Sequence, residues 1–150
     1  MNFPLEEYLF PWIISNVVSL ALLFVCYKWS RIGRYLFSFI FLAACIVNTL
    51  EAIGDPHTYV ETYGKLAFFF YKDFIHGFFA RHTTVIVLAI AAGQLLISVF
   101  LFLGKKFFIY GVSGGIIFLL AITPLGLGSA FPATLLMAAA LAILFKKHRK

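Results

Sequence analysis

Apolar positions in this chain fall into five runs with no charged residue: about 8–27, 35–50, 83–103, 107–123 and 130–145. Uninterrupted apolar stretches of this length predict membrane-spanning helices. Trp12 and Tyr8 suit an interfacial belt at the start of the first run, and Pro11 suits a first helical turn. Gly54-Asp55-Pro56 closes the second run, because Pro56 lacks a donor and disfavours helix at Asp55. Thr123-Pro124 closes the fourth. The fifth run covers about 24 Å at a rise of about 1.5 Å per residue, short of the about 30 Å of a hydrocarbon layer, a deficit that thinning or lysine snorkelling absorbs.

Between the second and third runs lies a different text. Residues 51–82 hold Glu51, Asp55, Glu61, Asp73, His57, His76 and His82 among many tyrosines and phenylalanines. The stretch is too charged to cross a bilayer and too aromatic for an ordinary loop. From Lys65 to Phe79, bracketed by Gly64 and Gly77, the polar residues Lys65, Lys72, Asp73 and His76 can share one helix side. Leu66, Phe69, Phe70 and Phe74 then share another, which predicts a helix lying in the membrane interface.

Composition and charge fix the class. The 150 residues are 63% hydrophobic and 12% charged, about half the charged fraction of a soluble domain. The expected fold is therefore all-α: a single membrane domain over residues 1–150, five transmembrane helices and an outer interfacial segment. The net charge of +6 does not point to nucleic acid, since no basic groove or recognised module accompanies it. Instead, nine of the twelve Lys and Arg fall on one side of a five-span chain: Lys28, Arg31, Arg34, Lys105, Lys106, Lys146, Lys147, Arg149 and Lys150. Only Lys65, Lys72 and Arg81 fall on the other. The positive-inside rule then puts the amino terminus and residues 51–82 outside and the carboxyl terminus in the cytoplasm. The start of the chain carries Glu6 and Glu7 but no base, unlike a cleaved signal peptide, so the first run reads as a retained helix.

Candidate chemistry is sparse. Cys26 and Cys45 form no CxxC pair and lie at different predicted depths, so neither a redox motif nor a disulfide follows. The histidines have no compact metal spacing and none lies mid-span, so structural histidines fit better than metal or haem ligands. Ser113 lacks the GxSxG order, no phosphate loop appears, and no internal repeat suggests a transporter. Small polar side chains inside the spans remain: Ser19, Ser38, Asn48 and Gln94. They serve as helix-packing glue or line a pocket for a small hydrophobic molecule such as a quinone or a lipid. The serine face Ser15, Ser19 and Cys26 is expected to pack against neighbouring helices. The candidate ligand-binding set is Asn48, Glu51, Tyr59, Tyr63, His76, His82 and Gln94, gathered at the outer mouth of the bundle. Glu51 there should find a hydrogen-bond donor among His82, Arg81, His76, Tyr59 and Tyr63.

From about Arg34 to Phe145 the order of features resembles the DoxX-like membrane proteins. The resemblance rests on Arg34 opening a span, Asn48 near its end, Pro56 and Tyr59 in the outer loop, Gly93-Gln94-Leu95-Leu96, and the run from Thr123 to Pro132. Two departures stand out: the family core has four spans and this chain adds one in front, and Gln94 stands where an acid is often found. The resemblance implies a bacterial inner-membrane protein, an accessory subunit of a quinone-linked membrane oxidoreductase. The competing expectation is a non-enzymatic lipid-binding or membrane-protein assembly factor. Neither names a reaction.

Overall fold

The computed structural model describes residues 5–150, and they form helices with no strand among them. In chain order these are α1 (Leu5–Lys28), α2 (Ser30–Gly54), α3 (His57–Leu66), α4 (Phe69–Phe74), α5 (Thr83–Leu103), α6 (Phe108–Ile122) and α7 (Ala133–His148). A π-helical turn, Ile75–Phe79, continues α4, and 3-10 turns at Lys105–Phe107 and Thr123–Ser129 flank α6. Residues 1–4, counted at the sequence level with the outer terminus, lie outside the described residues.

Four segments are long and apolar enough to cross a membrane: Glu6–Lys28, Ser30–Gly54, Thr83–Leu103 and Lys105–Ser129. Their outward faces carry large exposed apolar side chains such as Phe10, Phe24, Phe39, Ile46, Leu96 and Ile117. Helices that are apolar on the outside as well as the inside belong in lipid.

Several boundaries differ from those read off the sequence. α1 starts at Leu5, where Glu6 and Glu7 complement the positive end of the helix dipole, so Pro11 sits inside the helix rather than in its first turn. α2 starts at Ser30, leaving Trp29 alone as the turn from α1. Gly33 makes that tight return possible, since a Cβ there would lie 2.5 Å from Cys26 Sγ. α2 ends at Gly54, as Gly54-Asp55-Pro56 predicts, and α5 spans the predicted 83–103.

The helix expected over Lys65–Phe79 is broken. α3 runs to Leu66, Ala67 and Phe68 are extended, and a new helix starts at Phe69. The cause is tertiary: the Phe68 N–H donates to Pro124 O at 3.0 Å, and the Phe68 ring meets Phe131 edge-on. Gly64 is not a bracket but a seat, because a Cβ there would lie 2.6 Å from the His76 ring.

The long helices form a closed ring in the order α1, α2, α5, α6, α7 and back to α1. Neighbours are antiparallel except α1 and α7, which run parallel. Trp12 Nε1 donates to Phe131 O at 2.6 Å at one end of that seam, and Lys147 Nζ donates to Tyr27 O at the other. The ring has two ends. One, here the basic end, carries the α1–α2 and α5–α6 turns and the carboxyl terminus. The other, the aromatic end, is covered by α3, α4 and the π turn.

Two separate buried clusters fill the molecule. The larger, including Cys26, Phe37, Phe41, Leu101, Val112, Leu141 and Leu144, packs the basic half. The smaller, Ala52, Tyr59, Ala67, Ile75, Phe79 and Val87, lies under the lid at the aromatic end.

Candidate functional site

Between the two clusters lies a cavity of about 580 Å³. All five long helices and the lid contribute walls. Ser15, Ser19 and Leu22 come from α1, Asn48 from α2, Gln94 from α5, Phe118 from α6, and Thr134 with Met137 from α7. Tyr59, Tyr63, Tyr71, Phe74, Ile75 and Phe79 close the top. The size suits a small organic ligand, and the lining is mostly apolar with a few fixed polar groups.

Those polar groups form an ordered chain. The Tyr59 hydroxyl donates to Asn48 Oδ1 at 2.9 Å, and Asn48 Nδ2 donates to Gln94 Oε1 at 2.8 Å. Gln94 is 2% exposed, and its amide nitrogen has no acceptor among the described residues. That nitrogen is not sealed in protein, so its N–H donors open onto the cavity that Gln94 lines. A donor left free at such a depth is costly unless something accepts its hydrogen. Across the cavity, the Thr123 and Thr134 hydroxyls lie 3.1 Å apart. Ser15 and Ser19 each bond back to the carbonyl four residues earlier, on Pro11 and Ser15.

The lid is held by its glycines and its contacts. Gly126, at φ 63°, lies where a Cβ would be 2.6 Å from Leu66 O, and a Cβ on Gly128 would be 2.5 Å from the Tyr63 ring. The Gly-rich connection before α7 is thus the bed on which α3 rests. Tyr59 and Tyr63 stack with ring centroids 5.9 Å apart. Burial and then the nearby Glu51 carboxylate push the Tyr59 phenol well above the usual tyrosine range, and the same two causes push Tyr63 up. Both remain neutral donors at physiological pH.

Of the seven residues singled out in the sequence, Asn48, Tyr59, Tyr63 and Gln94 line the cavity together. Glu51, His76 and His82 do not line it, and all three are exposed. Glu51 stands one turn beyond Asn48 and acts on both tyrosines through its charge and on Tyr59 also through a side-chain hydrogen bond, beside the 2.9 Å bond of the Tyr59 hydroxyl to Asn48 Oδ1. His76 packs on Gly64, and His82 stacks on Phe78 at 5.0 Å. Among the described residues no three His, Cys, Asp or Glu side chains come together in metal-binding geometry. Ser38, expected with the lining residues, is instead locked to Ser98. Ser15, expected to pack against neighbouring helices, faces the cavity, and so does Ser19, for which packing and pocket lining were both open. Their spacing of four marks a shared face, but nothing local says whether that face meets a helix or a space.

The chain matches no known protein family, no curated protein and no solved structure.

Proposed function

We propose that the protein is a five-span, DoxX-like membrane protein that holds a small apolar carbonyl compound, a quinone, in its aromatic-end cavity. In this reading it serves a quinone-linked membrane oxidoreductase as an accessory subunit, and it lies in a bacterial inner membrane. The observation that carries the ligand reading is the free amide of Gln94, a donor aimed into an otherwise greasy space and held in place by Asn48 and Tyr59. A quinone carbonyl supplies the acceptor that this donor lacks, and its ring and tail suit the aromatic and aliphatic walls.

The five-span reading is supported by α7. It runs beside α1 from the level of Trp12 to that of Tyr27. That stretch of α1 is about 24 Å long at about 1.5 Å per residue, most of a hydrocarbon layer. Charge supports the orientation: with nine bases at one end, the positive-inside rule favours that end in the cytoplasm. The exposed rings of Phe69, Phe70, Phe74 and Phe78 suit α4 and the π turn to the outer interface.

The test is extraction in mild detergent followed by ultraviolet difference spectroscopy and mass spectrometry of bound small molecules. A quinone that accompanies the wild type and is lost from Gln94→Leu supports the reading. A phospholipid or free fatty acid that stays bound in Gln94→Leu defeats it in favour of the lipid-binding alternative, in which acyl chains need no donor.

A further inference from the structure

The basic end contains an arginine that the fold has gone out of its way to accommodate. Arg34, one turn into α2, lays its guanidinium over the turn between α5 and α6. Gly104 occupies that turn at φ 64°, and a Cβ there would collide with Arg34 Nη1. The centre of the Tyr35 ring lies 4.7 Å from the guanidinium carbon. Arg34 Nε is sealed from solvent and has no hydrogen-bond partner. No guanidinium nitrogen donates to a protein oxygen among the described residues, and the two terminal nitrogens keep an open edge.

No side-chain carboxylate lies at this end. All six acidic residues, Glu6, Glu7, Glu51, Asp55, Glu61 and Asp73, belong to the other end of the bundle. The neighbours of Arg34 are further bases: Arg31 one turn earlier on α2, and Lys105 and Lys106 directly after Gly104. A half-buried, always-charged fork without an internal acceptor calls for an external anion of fork-matching geometry. Its level is that of the helix ends, where the phosphates of a bilayer leaflet lie.

We infer that Arg34, seated on Gly104 and flanked by Arg31, Lys105 and Lys106, binds the phosphate of an anionic phospholipid in the leaflet at the basic end. This site is separate from the cavity and does not depend on what the cavity holds.

The experiment is native mass spectrometry of the full chain released from nanodiscs of equal phosphatidylglycerol and phosphatidylcholine. The wild type should retain phosphatidylglycerol with a preference of at least about tenfold, the size of a charge-assisted fork rather than the about fivefold of one screened surface base. Arg34→Gln should abolish the preference, and Arg31→Gln should leave most of it. Arg34→Lys, which keeps charge but not the fork, should fall to the about fivefold level, and it carries the test if Arg34→Gln fails to fold. A preference unchanged in both Arg34 variants overturns the site. Equal losses in Arg34→Gln, Arg31→Gln and Lys106→Gln overturn it in favour of diffuse charge. Complete displacement of the lipid by millimolar inorganic phosphate overturns the lipid as the source of the anion.

Discussion

The basic and aromatic halves of this bundle are built from the same five long helices, yet one is packed solid and the other is hollow. Both halves use a polar clasp between α2 and α5. In the basic half the clasp is short: Ser38 Oγ donates to Ser98 O at 2.8 Å and Ser98 Oγ donates to Ser38 O at 2.7 Å. Each hydroxyl finds the other helix's backbone, which requires the helices to touch. In the aromatic half the clasp is long, through the side chains of Asn48 and Gln94, and it leaves the Gln94 amide nitrogen without an acceptor. Glycine follows the same division. Gly111 and Gly115 let α6 approach Leu101 on α5 and Leu141 on α7 in the basic half. Reach of the clasp and size of the seam residues therefore set where the ring closes and where it stays open.

The largest effect should come from adding bulk in the two halves. Gly111→Val places a Cβ about where Leu101 N lies 2.9 Å away, and backbone cannot yield. It should cost about 3 kcal/mol, the upper part of the overpacking range, read as a lowered midpoint of thermal unfolding in detergent. Ala44→Phe adds more volume but into the cavity, and should cost less than about 1 kcal/mol while expelling any ligand. Equal losses for the two would mean that the aromatic half is not hollow in the folded protein.

Next come the clasps themselves. Asn48→Ala orphans Gln94 Oε1 and leaves the Tyr59 hydroxyl without its 2.9 Å partner, keeping only the 3.4 Å bond to the residue 48 carbonyl and Glu51, and should cost about 1–3 kcal/mol. Ser38→Ala removes a bond between two helices in lipid and should cost about 0.6–1.7 kcal/mol. A reversed order in unfolding measurements would break the distinction between the long clasp and the short one.

Alkaline pH sharpens the contrast further. The folded-state values of Tyr59 and Tyr63 are raised, so the folded protein holds those protons more tightly than the unfolded chain. Their contribution is fully present below about pH 10, the unfolded value, and is lost as pH rises from there toward the folded values. The Tyr59→Phe and Tyr63→Phe double variant should show a flatter decline of stability above about pH 10 than the wild type. An identical alkaline slope in the two proteins would count against a buried, Glu51-facing pair.

Trp12→Phe tests the seam alone. It removes the bond to Phe131 O at the α1–α7 seam and should lower stability by about 1 kcal/mol, with no change in the packed half.

The long helices were legible because charge-free apolar runs need no partner to declare themselves. α5 appears at residues 83–103 as the pattern predicts, and α2 stops where Gly54-Asp55-Pro56 says. Asn48, Tyr59, Tyr63 and Gln94 stood out because polar groups near lipid must be satisfied. What the pattern could not carry was pairing. That Ser38 meets Ser98 while Ser19 meets a cavity depends on which helix lies opposite and how closely. The break at Ala67–Phe68 was equally hidden, since its cause is a carbonyl on Pro124, far along the chain. Glu51, His76 and His82 were grouped with the site by depth alone, and depth does not say which way a side chain turns.

The parallel seam between α1 and α7 has a consequence for how the molecule is made. Of the five long helices, α1 is synthesised before the rest and α7 after them, yet each is the other's neighbour in the ring. Until α7 docks on α1, the side of α1 that bears Ser15 and Ser19 lacks its neighbour, and the bed that Gly126 and Gly128 provide for α3 is not anchored. Docking of α7 closes the ring and adds the Thr134 and Met137 wall of the cavity. The cavity therefore has its full set of walls only after the last of the long helices has been made.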